Sequence, residues 1–317
     1  MNHGGVEWSN EPEKIDDFSV NLNPLGTLPQ IRELIEEGVK KRVYEYYPPQ
    51  NYRKLREFIA ELYDVDEDLI GVFNGSSEAI RLLDKRCSVP EPNFSEYKRA
   101  QSYLASEKEK EFEYFLLGDC VITSNPVNPT GSCVKESEIL NFLSSGRELI
   151  LDESFADISL VTSSIRYTKE FDNLLVISSF TKSLSIPGLR LGFTVGKYSK
   201  HIEEKASPWR VNSLVYYVFA NLDPKEVREF FKKSKDIVEK LIQELMMVNT
   251  KFKIYNTVAP YFLAEFPIPT SELNKTLRLY GFQIRDSGGF IGLRNTHGRI
   301  SLKNNTKDLI ALINKIL

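Results

Sequence analysis

Short apolar runs that end in polar clusters alternate along this chain with longer stretches whose apolar residues recur at helical spacing. From Arg53 to Tyr63, Leu55, Phe58, Ile59 and Leu62 repeat at three- and four-residue intervals and so share one helix face. Residues 69–73 form an apolar run, Asn74-Gly75-Ser76-Ser77-Glu78 follows, and residues 79–83 read as the start of a helix. Residues 148–151 and 174–178 predict short buried strands, each with polar residues at its C-terminal end, where open α/β sheets place their chemistry. Residues 211–244, with Val227, Phe230, Phe231 and Ile237, have helical character and lead into residues 261–266 and 298–302, which predict strands of a smaller unit.

The fold class expected is therefore α/β. A large domain over residues 45–205 carries a mostly parallel central sheet flanked by helices. A smaller α/β domain is formed by residues 206–317 together with an N-terminal arm, residues 1–44, packed on it.

Composition narrows the function classes. Apolar residues make up 41% and charged residues 27%, as in a soluble globular protein. Lys and Arg number 41 against 44 Asp and Glu, so no broad basic field offers itself to nucleic acid or an anionic membrane. No apolar run approaches the length of a membrane span, and the polar, acidic N-terminus is unlike a targeting signal. Cys87, Cys120 and Cys133 lack metal-ligand spacing and predict reduced, buried apolar fillers in a cytoplasmic protein.

The candidate chemistry centres on residues 178–192, Ser-Ser-Phe-Thr-Lys-Ser-Leu-Ser-Ile-Pro-Gly-Leu-Arg-Leu-Gly. Lys182 sits among hydroxyls, and Arg190 follows eight positions later, past a Pro-Gly break. A lysine that forms a Schiff base needs a fixed, partly desolvated setting, and Ser179, Thr181 and Arg190 are suitable donors for a dianionic phosphate. That combination suits pyridoxal phosphate (PLP), whose aldehyde takes the lysine and whose phosphate takes the other groups. Residues 74–78 lie between a predicted strand and helix, a geometry that aims backbone N–H groups at a phosphate, although Ser76 or Ser77 also fits as a plain helix cap.

These segments resemble the class I and II aminotransferase group of fold-type I PLP enzymes, in that group's order and over nearly the whole chain. The resemblance implies that Ser76 and Ser77 hold the cofactor phosphate with Ser179, Thr181 and Arg190, and that Lys182 is the covalent attachment point. Phe94, in Pro92-Asn93-Phe94, would stack on the pyridine ring. Asn128, in Asn125-Pro126-Val127-Asn128-Pro129-Thr130-Gly131, would donate to ring oxygen O3′. Asp152 would pair with the ring nitrogen and keep it protonated. Phe155 stands where aminotransferases of this group usually carry a tyrosine, which removes one hydrogen bond to O3′. Tyr47 corresponds to the tyrosine that reaches the phosphate of the other subunit, which implies a two-fold homodimer with shared active sites. Arg299 matches the arginine that holds the substrate carboxylate, and Arg285 and Arg294 lie nearby as auxiliary anion contacts.

The N-terminal segments His3-Gly4-Gly5 and residues 17–26, Asp-Phe-Ser-Val-Asn-Leu-Asn-Pro-Leu-Gly, are similar to those of threonine-phosphate decarboxylases of cobalamin synthesis. That similarity implies a small phosphorylated amino acid as substrate, with His3 and Asn23 contacting it. Histidinol-phosphate aminotransferases share much of the same pattern, so amino transfer from glutamate is the alternative. A catalytically silent PLP-fold binding protein is a third reading. The presence of Lys182, Asp152, Asn128 and Arg190 together argues against it.

Overall fold

A computed structural model describes residues 4–12 and 14–317. Seven strands form the main sheet: β1 (Ile70–Phe73), β2 (Cys87–Glu91), β3 (Arg99–Leu104), β4 (Cys120–Ser124), β5 (Glu148–Asp152), β6 (Leu174–Ser179) and β7 (Gly192–Val195). Their spatial order is β1-β7-β6-β5-β4-β2-β3. All neighbours pair in parallel except β7, which runs antiparallel to both β1 and β6. β1, β2, β4, β5 and β6 therefore end on the same edge of the sheet. Their C-terminal ends deliver residues 74–78, Phe94, Asn128, Asp152 and Lys182 to that edge. These strands are apolar on both faces because helices and loops cover both sides.

A second, antiparallel sheet has the order β8-β9-β11-β10, with β8 (Lys253–Ile254), β9 (Tyr261–Glu265), β10 (Arg285–Asp286) and β11 (His297–Ser301). β11 places Arg299 opposite both Leu263 and Arg285.

The structure parts the N-terminal arm rather than assigning it to the small unit. Asp16–Asp17 pairs in parallel with Phe282–Gln283, and Phe18 is buried in the small-sheet core. Helix α1 (Pro29–Lys40) instead lays Ile31 and Leu34 into the main core, as does helix α2 (Arg53–Tyr63) with Leu55, Phe58, Ile59 and Leu62. The stretch of helical character over 211–244 is two helices, α3 (Ser213–Asn221) and α4 (Pro224–Met246). Asp223 breaks them by capping α4, accepting from the Lys225 N–H at 2.8 Å with Pro224 in the first turn. Val227, Phe230 and Phe231 of α4 pack in the main core, whereas Leu241 and Leu245 pack in the small-sheet core. A boundary at 205/206 is therefore not where the cores divide. One amphipathic helix serves both.

The cysteines also differ from expectation. Cys87 and Cys120 form a disulfide between the starts of β2 and β4, with Cα atoms 4.9 Å apart. Thirty-three residues separate them in sequence, so only the sheet order makes them neighbours. Cys133 is a half-buried free thiol whose pKa burial pushes up.

Candidate active site

The strand ends and the small sheet enclose a cavity of about 780 Å³. It is lined by Ser76, Ser77, Phe94, Asn128, Asp152, Thr181, Lys182, Arg190, Arg285 and Arg299, among others. Residues spread over more than two hundred positions of sequence thus meet in one space.

The Lys182 end is built by a short helix (Phe180–Ser183) that follows β6 directly. Ser179 caps it by accepting from the Thr181 N–H, and the Ser179 hydroxyl lies 2.8 Å from Thr181 Oγ1 and donates to the Leu191 carbonyl at 2.9 Å. Ser179 is 1% exposed and absent from the cavity lining. Its hydroxyl contacts Thr181, which does line the cavity. Burial, and secondarily Arg299 and Arg190, depress the Lys182 ammonium pKa to about 8. That shift makes a neutral, nucleophilic amine accessible near physiological pH.

The phosphate cradle is a close three-way approach of backbone and guanidinium. The helix Ser76–Leu82 starts after Gly75, which has φ +78°. A Cβ at Gly75 would lie 2.6 Å from Arg190 Nη2, and one at Gly192 would lie 2.3 Å from both the Gly75 carbonyl carbon and the Ser76 nitrogen. Only glycines let Arg190 and the turn come this near. Bare N–H groups, two serine hydroxyls and a guanidinium converge there, the donor set a phosphate requires.

At the opposite end, Asp152 is 7% exposed. Burial raises its pKa, while Ser154 and Tyr97 act against that rise. Its Oδ1 accepts from the Ser154 N–H at 3.0 Å and from the Ser154 hydroxyl at 2.6 Å, and its Oδ2 accepts from the Tyr97 hydroxyl at 3.1 Å. Tyr97 also packs edge-on against Phe94, with centroids 5.6 Å apart. A carboxylate held in this way suits a protonated pyridine nitrogen, so the donor set fits PLP end to end.

Arg299 and Asn128 form the wall between cofactor seat and small sheet. Arg299 Nη1 donates to Asn128 Oδ1 at 2.5 Å and Nη2 to the Ser19 carbonyl at 2.7 Å, while Nε is buried without a partner among the described residues. Burial brings its pKa down to about 10. Arg285 lines the same wall, its guanidinium 6.0 Å from the Phe290 ring centroid. Phe155 lines the cavity and meets Tyr261 edge-on, with centroids 5.0 Å apart.

Asn23 does not line the cavity. Its Nδ2 donates to the Ser183 carbonyl and to Ser234 Oγ, and its Oδ1 accepts from the Leu25 N–H, so its polar atoms are spent on the fold. Asn21 takes the place expected of it: 2% exposed, it lines the cavity, and neither carboxamide atom has a partner among the described residues. Sequence reasoning also missed Ser154 and Tyr97, whose signal is contact with Asp152. Gly4 reaches the lining beside Ser19, and the Gly5 N–H donates to Ser19 Oγ at 2.8 Å. His3 lies outside the described residues. Tyr47 is 78% exposed, stacks on Trp209 at 4.5 Å and stays out of this chain's own cavity.

Known proteins bear on this geometry. The threonine-phosphate decarboxylase of Salmonella typhimurium is 26% identical, covering 96% of this chain and 92% of its own. The histidinol-phosphate aminotransferase of Caldanaerobacter subterraneus is 27% identical, covering 92% and 89%. The crystal structure of L-threonine-O-3-phosphate decarboxylase from Porphyromonas gingivalis superposes with a TM-score of 0.79 at 24% identity, covering 94% and 97%. Residues 107–316 match the family described as aminotransferase class I and II. The chain belongs to the class I and II aminotransferase family of PLP-dependent enzymes.

Proposed function

We propose that this enzyme decarboxylates L-threonine O-3-phosphate to 1-aminopropan-2-yl phosphate. The observation that carries the reading is the wall facing the PLP seat, where Gly4, Asn21, Arg285 and Arg299 gather around one end of the cavity. Two guanidiniums and an unpartnered carboxamide suit a substrate bearing both a carboxylate and a phosphate. The docking of the Gly4-Gly5 segment onto Ser19 supports the same reading, because it brings Gly4 to that wall.

Pyridoxal phosphate, when bound, supplies the electron sink for charge developing at the substrate Cα. Ser76, Ser77, Thr181 and Arg190 hold its phosphate, Phe94 its ring face, Asn128 its ring oxygen and Asp152 its ring nitrogen. Arg299 and Arg285 would hold the substrate's anionic groups and so decide which bond at Cα is broken. With the Cα–carboxylate bond presented, carbon dioxide would leave and Lys182 would deliver a proton to Cα. With the Cα–H bond presented instead, Lys182 would move that proton, and the enzyme would be an aminotransferase. The likeness to histidinol-phosphate aminotransferases supports that alternative.

The assembly proposed with this chemistry is a cytoplasmic homodimer in which the exposed Tyr47 completes the partner's phosphate cradle. Among the described residues no helix is long and apolar enough to cross a membrane. The test loads purified enzyme with PLP and supplies L-threonine O-3-phosphate, following carbon dioxide and the ultraviolet absorbance of pyridoxamine phosphate. Carbon dioxide without pyridoxamine phosphate is the expected result. Pyridoxamine phosphate without carbon dioxide overturns it in favour of amino transfer.

A further inference from the structure

Asp152 and Ser76 have different expected partners on the cofactor, yet one side chain touches both. The Ser154 hydroxyl is 2.6 Å from Asp152 Oδ1 and 3.2 Å from Ser76 Oγ. Ser154 lines the cavity itself, directly after the strand that carries Asp152. A serine hydroxyl has one proton to give and lone pairs to receive with. The shorter contact to an ionised carboxylate is the stronger of the two, so the Ser154 proton belongs to Asp152 and its oxygen remains open to the Ser76 hydroxyl.

We propose that Ser154 is a positioning residue that couples phosphate seating to the charge on Asp152. A phosphate dianion in the cradle draws the Ser76 proton toward itself, because it is a stronger acceptor than a neutral hydroxyl. The Ser76 donation into the Ser154 oxygen is then lost, so phosphate seating is felt at the hydrogen bond that Ser154 gives to Asp152 Oδ1. That bond favours the ionised carboxylate against its burial, the form that would pair with a protonated ring nitrogen. Tyr97 holds Oδ2 independently from another segment, so the coupling runs through Oδ1 alone. The inference rests on the assignment of this cavity to PLP.

The experiment measures PLP dissociation constants and the pH titration of the bound cofactor's visible absorbance. The proteins compared are wild type, Ser154→Ala, Ser154→Thr, Ser76→Ala and the Ser154→Ala/Ser76→Ala double variant, with apoenzyme melting as a folding control. Ser154→Ala is expected to weaken PLP binding by about tenfold and to shift the titration midpoint, with Ser154→Thr restoring both. The double variant is expected to lose clearly less than the product of the two single losses. Strictly multiplicative losses, or a Ser154→Ala protein that binds and titrates like wild type, overturn the coupling. Lys182→Ala, run alongside, separates the two levels. If wild type itself shows no lysine-dependent visible absorbance, the PLP assignment fails. If wild type shows it and only the Ser154 effects are missing, the coupling alone fails.

Discussion

Arg299 Nη1 donates to Asn128 Oδ1 at 2.5 Å, so the arginine assigned to the substrate and the asparagine assigned to the cofactor act as one hydrogen-bonded unit. Arg299→Lys keeps a charge but loses the planar fork that spans Asn128 and the Ser19 carbonyl. Steady-state turnover of the phosphorylated amino acid is expected to fall by at least about 30-fold in kcat/KM, about 2 kcal/mol. A change below threefold would show that the fork is dispensable.

Asn21 and Asn23 lie two positions apart and have opposite fates. Asn21→Ala removes a carboxamide with no partner among the described residues, so melting is expected to change little while KM for L-threonine O-3-phosphate rises about tenfold. Asn23→Ala breaks contacts to Ser183 and Ser234 and is expected to lower stability by about 1–3 kcal/mol, read as a fall in melting temperature. Reversed results would place substrate on the other asparagine.

Glu153 is 1% exposed beside Asp152, where burial raises its carboxyl pKa to about 7. Asp157 is raised to about 6, also by burial. A carboxyl whose folded pKa exceeds its unfolded value binds its proton more tightly when folded. Its contribution is therefore fully present below the unfolded pKa and is lost as pH rises through the folded one. For Glu153 that window runs from 4.5 to about 7. Glu153→Gln keeps an acceptor for the Ser164 N–H and cannot ionise. Melting scans at pH 5 and pH 8 are expected to show the variant gaining on wild type at the higher pH, by up to about 3 kcal/mol. A gap that does not depend on pH would mean that Glu153 is not the group titrating.

The disulfide predicts a thiol count. Denatured protein that has never met a reductant is expected to expose one reactive thiol, from Cys133, and three after reduction. Three without reduction would return Cys87 and Cys120 to the reduced state expected from their spacing.

Much of the site was legible because PLP chemistry fixes residue types at short range. Lys182 with its hydroxyls and Arg190, Asn128 within its turn, and Asp152 at a strand end each sit in one local segment, and local segments survive in sequence order. Residues 179 and 181 are chemically alike, and only the helix after β6 sets one at its cap and the other at the cavity lining. Asn23 was expected at the substrate, whereas its carboxamide binds Ser183, Ser234 and Leu25 and Asn21 lines the cavity. Ser154 and Tyr97 have no local signature at all, since each matters through Asp152.

By itself, then, the sequence determined the α/β class, the strands that end at the cavity and the PLP-dependent family, because periodicity and strand-end chemistry are written within a few residues. The tertiary structure alone decided which hydroxyl or asparagine faces the cavity, how Arg299 joins Asn128 across 171 positions, where α4 passes from one core to the other and which cysteines pair. Those are contacts between segments distant in the chain, fixed by strand order, register and packing.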